Sequence, residues 1–550
     1  MNILSRSFLL LLVISAIALN ATCLLNEIME PDGALYASIS KHMVLTGDWM
    51  NLYGNGGDWL DKPHMPFWLA AVSMKLLGIT AFAYKLPAFI CFVIGSWYVY
   101  KLAQALYNNT TALLAVVIYS TSLHVLLSNY DVRAEAYLTA FVIAAIYYLY
   151  KAAEANSWLK YILAAAVCSA MAVMTKGIFV LVTIAGGFVC WWLMTKQWKQ
   201  FIAIKWWLFL VLTLLFLFPE LYSLYVQFDM HPEKVVFGHT GVSGIRFFFW
   251  DSQFGRFFNN GPIRGKGDPS FFLHTTLWTF LPWSVYLYIA VVQIVRKKNK
   301  TVLQRWIISG SALLSFLMFS LSRFQLPHYI VILFPHFAII TADYLCSVTS
   351  AKAWKGISIV QFVLLGALVL LIGLLQIVSG LVHVWGWVLI VIALVVVLVW
   401  YKQATLKAIT GRNFVFAALL FLFLNLFFYP ALMHYQGGME AGQWLQQDKQ
   451  AYNKAVLYKC YVYSFEFYAP GLVQTALTED ELVSISRKHG YAWVYLIEDN
   501  VKELQQRHFK IEVLKRVNDF HISQLTGEFI NARKREQVLG HFVLARVAEK

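Results

Sequence analysis

Charged residues are scarce in this chain, and cysteines are few. Asp, Glu, Lys and Arg make up 13% of the 550 residues and hydrophobic residues 59%, whereas soluble domains average about 25% and about 45–50%. This composition excludes an ordinary soluble protein and indicates a polytopic membrane protein. Of the six cysteines, all except Cys460 lie in or at the end of apolar runs, so neither a disulfide framework nor Cys/His zinc spacing is indicated.

Apolar runs of the roughly 20 residues that a membrane span requires recur along most of the chain. We predict about thirteen transmembrane helices, the first of them an uncleaved span because no small-residue cleavage site follows it. The runs lie near residues 7–25, 81–101, 110–128, 135–151, 159–175, 177–195, 203–222, 273–295, 305–322, 327–347, 356–379, 383–401 and 412–430.

Basic residues cluster in five loops, which the predicted spans place on the same side as the N-terminus. These loops are Lys151 to Lys160, Lys196 to Lys205, Arg296 to Lys300, Lys352 to Lys355 and Lys402 to Arg412. Because cytoplasmic loops carry an excess of Lys and Arg, we expect the N-terminus inside and the C-terminus outside. The formal charge of +15 then reflects topology, and no nucleic-acid-binding module is apparent.

Three regions are expected on the external side of the membrane. Residues 26–80 contain a helix suited to the interface at 32–45, a turn-rich stretch and a second short apolar helix. Residues 223–272 mix arginines with aromatic side chains, which suits either an interfacial anchor or a lid over substrate. Residues 431–550 are long enough for a soluble α/β domain, so we assign residues 1–430 to the membrane domain. The strands expected in the soluble domain are 455–463, 492–497 and 541–547, with a helix at 479–489.

Residues capable of acid–base or phosphate chemistry gather at the external ends of the predicted spans. A transporter is expected to place ionisable groups near the bilayer midplane instead. One-sided clustering therefore favours an enzyme that acts on lipid-linked material at one surface. The clustered residues are Glu30, Asp32, Lys62, His64, Asp131, Arg133, Glu135, Lys176, Arg256, Arg323, His328 and Tyr329.

Each charged motif in this cluster also has a simpler explanation. The motif Glu30-Pro31-Asp32 either sits solvated in a loop or supplies carboxylates to a site. The charges of Asp131 to Glu135 either pair within their own turn or add an acidic group to that site. The arginine and histidine of Ser322 to Tyr329 either contact lipid headgroups or bind a phosphate, for which the planar fork of arginine is suited.

Taken together, the motifs resemble those of the GT-C membrane glycosyltransferases of the protein-mannosyltransferase-like group, and in particular the bacterial aminoarabinose transferases that act on lipid A. The resemblance covers residues 1 to about 345 and departs from the family pattern at Gly33, His64 and Glu135. The matching segments are Glu30 to Tyr36, Gly47-Asp48-Trp49, Lys62-Pro63-His64, Asp131 to Glu135, Thr175-Lys176-Gly177, Phe254 to Phe257, Phe280 to Trp283, and Ser322-Arg323 with Pro327-His328-Tyr329.

The resemblance implies an α-helical polytopic GT-C fold with a C-terminal extracytoplasmic α/β domain. It also implies inverting transfer of a sugar from a polyprenyl (undecaprenyl) phosphate donor to lipid A or another envelope acceptor, at the periplasmic face of the bacterial inner membrane. The implied catalytic carboxylates are Asp32, Glu30, Glu135 and Asp131. The implied phosphate-binding residues are Lys62, Arg256, Arg323, His328 and Arg133, and the implied substrate-binding residues are Tyr36, His64, Lys176 and Tyr329.

Several alternatives stay open at the level of sequence. A divalent cation, Mg²⁺ or Mn²⁺, is compatible with the carboxylates but is not required by them. A lipid-linked glycan transporter or flippase differs from the transferase in lacking donor-dependent sugar transfer by the purified protein. A glycan ligase or polymerase would use a larger acceptor and release polyprenyl diphosphate. The identity of the sugar and the choice among lipid A, glycan and protein as acceptor are not encoded in any motif.

Overall fold

The structure, a computed structural model, describes residues 4–54, 56–296, 305–381, 384–507 and 509–549. The predicted basic loop at 296–300 lies outside the described residues from position 297 onward. Within them, eight helices are long and apolar enough to cross a membrane, or nine when one bent pair is taken as a single span. The protein is therefore a helical multi-pass membrane protein, as its composition indicates.

The apolar helices follow the predicted runs closely. The long ones are Arg6–Leu25, Ala81–Leu106, Ala134–Glu154, Leu159–Lys176, Ile204–Asp229, Pro327–Ser347, Ala351–Ser379 and Leu406–Met433. Shorter apolar helices span Met65–Leu77, Val180–Met194, Ser284–Arg296, Trp306–Leu321 and Val384–Trp400. The helical fold class is confirmed, while the count of thirteen spans stays a prediction.

Several of these helices begin at a polar side chain that caps the first turn. Ser5, Thr80, Asn108, Ser350 and Thr405 each accept a hydrogen bond from the backbone N–H three residues later. Such caps satisfy donors that have no partner inside the helix. The starts of these helices are therefore encoded locally.

The predicted continuous span at 110–128 is wrong, because the helix is broken. Helices Asn109–Ser120 and Leu123–Tyr130 meet at an angle of 55°. The hydroxyls of Ser120 to Ser122 bond back to carbonyls one turn earlier at 2.5–2.7 Å. Such hydroxyls compete with the backbone ladder and bend helices. The break directs the second helix toward the segment that begins at Asp131.

The predicted span at 273–295 is also interrupted. It forms two helices, Phe271–Thr279 and Ser284–Arg296, separated by a turn that contains Pro282. Proline has no backbone N–H to continue a helical ladder. The carbonyl of Leu281 in this turn accepts a hydrogen bond from the N–H of Leu123 at 3.0 Å, so the two breaks contact each other.

The first external region is more deeply buried than its sequence suggests. A helix spans Asp32–Thr46, here called the Asp32 helix, and its residues from Gly33 to Lys41 are buried. This burial comes from packing against other parts of the protein, and the placement of the helix at the membrane interface stays a prediction. A two-stranded hairpin follows, with β1 at Tyr53–Gly54 and β2 at Gly57–Asp58.

The long external loop contains helical segments rather than extended chain. The helix that begins at Ile204 continues to Asp229, so the loop starts later than predicted. Short helical segments follow at Gly244–Arg246, Phe247–Gly255 and Arg256–Phe258. They bring Arg256 beside the membrane helices.

The C-terminal region is built around a five-stranded sheet of order β4-β3-β5-β7-β6. Its strands are β3 Ala455–Tyr458, β4 Val473–Ala476, β5 Ala492–Ile497, β6 Phe509–Asp519 and β7 Gly540–Glu549. Strands β3, β4 and β5 are parallel, and β6 and β7 are antiparallel. Helices in this region are Gly437–Leu445, Tyr463–Tyr468, Glu479–His489, Asp499–Gln506 and Gly527–Ile530. The sequence pattern missed β4 and β6, the two edge strands, which are only partly buried.

Candidate functional site

A cavity opens where the Asp32 helix, the hairpin and the long external loop meet the membrane helices. Its volume is about 470 Å³, and it shares part of its wall with an apolar cleft of about 110 Å³. Asp131 lies behind this wall, whereas Glu30, His64 and Arg323 line neither space. The predicted site residues that line the cavity, the cleft or both are Asp32, Tyr36, Lys62, Arg133, Glu135, Lys176, Arg256, His328 and Tyr329.

Asp32 enters the cavity from the first position of its helix. Backbone N–H groups and the helix dipole favour negative charge at such a position. The carboxylate is 40% exposed, and its Oδ2 lies 3.0 Å from the guanidinium of Arg133. It is thus held in a defined place while one face stays open to the cavity.

Arg133 links three side chains at this end of the cavity. It binds Asp131 through Nε at 2.8 Å and through a terminal nitrogen at 2.6 Å, in addition to Asp32. A terminal nitrogen also lies 3.2 Å from Nδ1 of His328. The planar guanidinium, with its five donors, is suited to such bridging. Asp131 and Arg133 therefore pair with each other, as the simpler explanation expected, and Arg133 also faces the cavity.

Asp131 keeps one oxygen without a partner. Its Oδ1 is buried and has no hydrogen-bond partner among the described residues. Burial raises the pKa of the Asp131 carboxyl, the neighbouring Asp32 charge adds to this effect, and Arg133 opposes it. A Cβ atom at Gly33 would lie 2.8 Å from this oxygen. The absence of a side chain at Gly33 therefore leaves room for Asp131.

Glu135 and Lys176 form an ion pair at the centre of the site. Glu135 is nearly inaccessible, at 2% exposure, and also lies 3.8 Å from Nε2 of His328. Lys176 Nζ lies 3.8 Å from the centroid of the Tyr329 ring, over its face. Lys176 thus has an anionic and an aromatic partner and still lines both spaces.

Asp61 is a site residue that the sequence interpretation missed. Its carboxylate binds Lys62 and Arg256, one through each oxygen. Burial acts to raise its pKa, but these two cations hold the pKa of Asp61 well below its usual value. The only signal in the sequence was an acidic residue directly before Lys62, a pattern that is ordinary on a solvated loop.

The cleft is mostly apolar, although Glu220, Ser252, Gln253 and Ser322 also line it away from the wall that it shares with the cavity. Its lining includes Leu138, Phe179, Val180, Phe248 and Phe319. Lys62, Lys176 and Arg256 stand at the junction of the two spaces. A molecule with a long apolar chain and an anionic head would match this division.

Two residues predicted to touch substrate or donor lie elsewhere. His64 is completely buried, its Nδ1 lies 3.0 Å from Glu220 and its Nε2 lies 3.0 Å from the carbonyl of Met50. It supports the loop that carries Lys62 from behind. Arg323 is exposed beside the site, and its backbone N–H donates to the carbonyl of Phe257.

Glu30 faces the C-terminal region instead of the cavity. Its carboxylate accepts a hydrogen bond from the backbone N–H of Ser464, and its own N–H donates to Gln436 at 2.9 Å. Burial raises the pKa of Glu30 to about 7. Glu30 therefore lies at the contact with the C-terminal region, although it is only two positions from Asp32 in the sequence.

A buried lysine fastens the same contact. Lys41, on the Asp32 helix, donates to the carbonyls of Glu466, Phe467 and Ala469 at 2.7, 3.1 and 2.5 Å. These carbonyls lie at the C-terminal end of helix Tyr463–Tyr468, where a cation is favoured. The C-terminal region thereby holds the helix that begins with Asp32.

A divalent cation, which the sequence leaves open, has no preformed cluster of ligands among the described residues. Among the described residues, three or more His, Cys, Asp or Glu side chains nowhere converge in a way that could hold a metal ion. The carboxylates of the cavity are paired with Arg133, Lys62, Arg256 and Lys176 instead. We therefore assign no step of the reaction to a metal.

Comparisons with known sequences agree with the motifs. The pattern of the family described as dolichyl-phosphate-mannose-protein mannosyltransferase matches residues 61–222. Two curated relatives are named undecaprenyl phosphate-alpha-4-amino-4-deoxy-L-arabinose arabinosyl transferase. The one from Erwinia tasmaniensis is 26% identical over 372 residues, 65% of this chain and 63% of its own length. The one from Edwardsiella ictaluri is 28% identical over 329 residues, which cover 58% of this chain and 56% of the relative's own length. The alignments thus span about three fifths of these relatives.

A solved structure extends the likeness to nearly the whole chain. ArnT from Cupriavidus metallidurans, bound to undecaprenyl phosphate, superposes with a TM-score of 0.74, covering 98% of both chains at 16% identity. The predicted GT-C fold with a C-terminal sheet region is confirmed by this superposition, and over about three fifths of its length the chain is similar in sequence to the aminoarabinose transferases.

Proposed function

We propose that this chain is an inverting glycosyltransferase that moves a sugar from a polyprenyl phosphate of the undecaprenyl class to lipid A or another envelope acceptor. The observation that carries the proposal is the junction of a cavity that holds many charged side chains with a mostly apolar cleft, at which Lys62, Lys176 and Arg256 stand. The curated relatives are named for transfer from the same class of carrier.

In the proposed complex the donor phosphate lies at the junction, with the polyprenyl chain in the cleft and the sugar in the cavity. Lys62 and Arg256 would contact the phosphate oxygens. Negative charge on these oxygens increases as the bond to the sugar breaks, and fixed cations stabilise such developing charge. Lys176, held by Glu135, would add to the same positive field.

Asp32 is proposed to act on the acceptor, because it is the most exposed of the carboxylates that line the cavity. The acceptor oxygen forms a bond to the anomeric carbon on the side opposite the phosphate. The bond between that carbon and the phosphate oxygen breaks, and its electron pair leaves with polyprenyl phosphate. Asp32 accepts the proton when the acceptor is a hydroxyl, and orients it when the acceptor is an anionic phosphate. Configuration at the anomeric carbon is inverted.

Arg133 is proposed to position Asp32. It binds Asp32 on one side and Asp131 on the other, so the carboxylate keeps one orientation as substrates enter. Glu30, which faces the C-terminal region, is proposed to support this arrangement from outside the cavity, and not as a catalytic carboxylate.

We further propose the bacterial inner membrane as the location, with the N-terminus cytoplasmic and residues 431–550 forming a periplasmic domain. The side on which basic loops gather supports this orientation. The cavity then opens at the periplasmic face, beside that domain.

The test is a lipid analysis of cells that produce the wild-type protein or the Asp32→Asn variant at matched levels. Mass spectrometry would compare lipid A and sugar-bearing undecaprenyl phosphates. We expect the variant to lose one sugar from lipid A and to accumulate the corresponding polyprenyl phosphate sugar, because the acceptor is no longer activated or oriented.

A matched control is Asp251→Asn, which removes a carboxylate of the loop at residues 223–272 that lines neither space. It should leave the lipid pattern unchanged. An Asp32→Asn variant that is well folded and fully active would refute the role of Asp32. Unchanged lipid A with a changed glycan or protein would identify a different acceptor. The transferase proposal would be refuted if cells with the wild-type protein and cells without it showed the same sugar-bearing lipids.

A further inference from the structure

Asp61 places a negative charge where the proposed donor phosphate must bind. Its two oxygens contact Lys62 and Arg256, the same cations that the proposed function assigns to the phosphate. The three side chains are 14–21% exposed, so their charges are only partly screened by water. A phosphate that arrives therefore meets cations that already share a carboxylate.

The charges at the junction do not cancel. Lys62, Arg256 and Lys176 supply three positive charges, and Asp61 and Glu135 supply two negative ones. The cluster of these five side chains, here called the junction cluster, therefore carries one excess positive charge. Leaving a partly buried charge without a counter-ion costs free energy. A ligand with one negative charge therefore balances the cluster, and any further negative charge on the ligand has no partner in it.

The substrate and the product of the proposed reaction differ in that charge. A sugar linked to polyprenyl phosphate is a phosphodiester and carries one negative charge. The released polyprenyl phosphate is a monoester, whose second ionisation has a pKa of about 6, so at neutral pH it approaches two negative charges. The diester neutralises the junction cluster, whereas the monoester dianion exceeds it.

We propose that Asp61 sets the charge of the junction cluster to match a phosphodiester, and so makes the site select the sugar donor over the polyprenyl phosphate product. Asp61 is thus a specificity-determining residue, and by weakening the hold on the product it also speeds product release. This inference rests on the proposed function, since it assumes a polyprenyl phosphate sugar as donor.

The test measures binding of two probes to the purified full-length protein in detergent micelles at pH 8. The probes are undecaprenyl phosphate and its methyl ester, which is a phosphodiester with the same chain. The test variant is Asp61→Asn, and Asp58→Asn is the matched control. Asp58 lines the same cavity but pairs with Lys234 at 2.9 Å and not with the junction cations.

We expect the wild type to bind the methyl ester more tightly than undecaprenyl phosphate. In Asp61→Asn the affinity for the monoester relative to the diester should rise about tenfold, the order expected when one close, partly screened charge is removed. The control should leave the ratio unchanged. An unchanged or lower ratio in Asp61→Asn, or an equal rise in both variants, would overturn the inference while leaving the transferase proposal intact. A wild type that binds neither probe would refute the polyprenyl phosphate donor itself.

A second measurement needs no variant. Between about pH 5 and pH 8 the monoester gains its second charge and the diester does not. Wild-type affinity for undecaprenyl phosphate should fall relative to the methyl ester over this range. The diester serves as the control for titration of the nearby His328, which lines the cavity beside Glu135 and Arg133. A constant or rising ratio would also overturn the role of Asp61.

Discussion

The contact between Glu30 and the C-terminal region should weaken as the pH rises. Glu30 is buried against Ser464, and burial raises its pKa from 4.5 to about 7. A carboxyl whose pKa is higher in the folded state stabilises that state when protonated, so its contribution is complete below about pH 4.5 and is lost as the pH rises through 7. Ionisation of Glu30 thus opposes docking at alkaline pH.

The size of the effect follows from the pKa change. Moving a carboxyl pKa from 4.5 to about 7 corresponds to about 3 kcal/mol. Because part of the residue is accessible to water, we reduce this to about 2 kcal/mol, or roughly 30-fold in an equilibrium constant. Glu30→Gln cannot ionise, and its amide oxygen can still accept the bond from Ser464.

The assay is hydrogen–deuterium exchange of the segment Tyr463–Tyr468 in the full-length protein, compared between the wild type and Glu30→Gln at equal pH. We expect protection that differs by no more than a few fold at pH 5, and roughly 30-fold higher protection in the variant at pH 8. Glu498→Gln, which changes an exposed carboxylate paired with Arg516, is the control and should match the wild type. A wild-type-to-variant difference that is the same at both pH values would refute the reasoning.

Two further substitutions test the geometry of the site. Gly33→Ala places a Cβ 2.8 Å from the unpaired oxygen of Asp131. Because this shifts a side chain that holds Arg133, we expect kcat to fall about tenfold with little change in melting temperature. An unchanged kcat would contradict the close fit. His64→Phe leaves the buried Glu220 without the imidazole that lies 3.0 Å away in the wild type. We expect thermal unfolding to show a loss of about 3 kcal/mol of stability and a sugar-transfer assay to show an unchanged KM for the donor. A raised KM at unchanged stability would instead place His64 in the substrate site.

Hydrophobic pattern and local chemistry determined much of the fold. Each apolar run predicted from the sequence contains a helix, because an apolar stretch has no better environment than the membrane or the core. The helix Glu479–His489 was also predicted with the observed bounds, since Thr478 and Glu481 form a capping box that depends only on near neighbours. The break at Ser120 to Ser122 also depends on hydrogen bonds to near neighbours. The sequence therefore contained its signal, which the prediction of a continuous span missed.

The arrangement of the site depended on contacts between distant segments. Glu30 and Asp32 stand two residues apart in one acidic motif, and sequence interpretation gave both a catalytic role. In the structure the start of the Asp32 helix separates them, so that one carboxylate meets Ser464 and the other meets Arg133. Asp61 looked like an ordinary solvated acid because its second cation, Arg256, is 195 residues away along the chain. Hydrophobic periodicity and helix caps act over one or two turns of chain and therefore determined which segments are helices. Only tertiary packing decided which charges meet, because an ion pair depends on distances of 3–4 Å that no local pattern encodes.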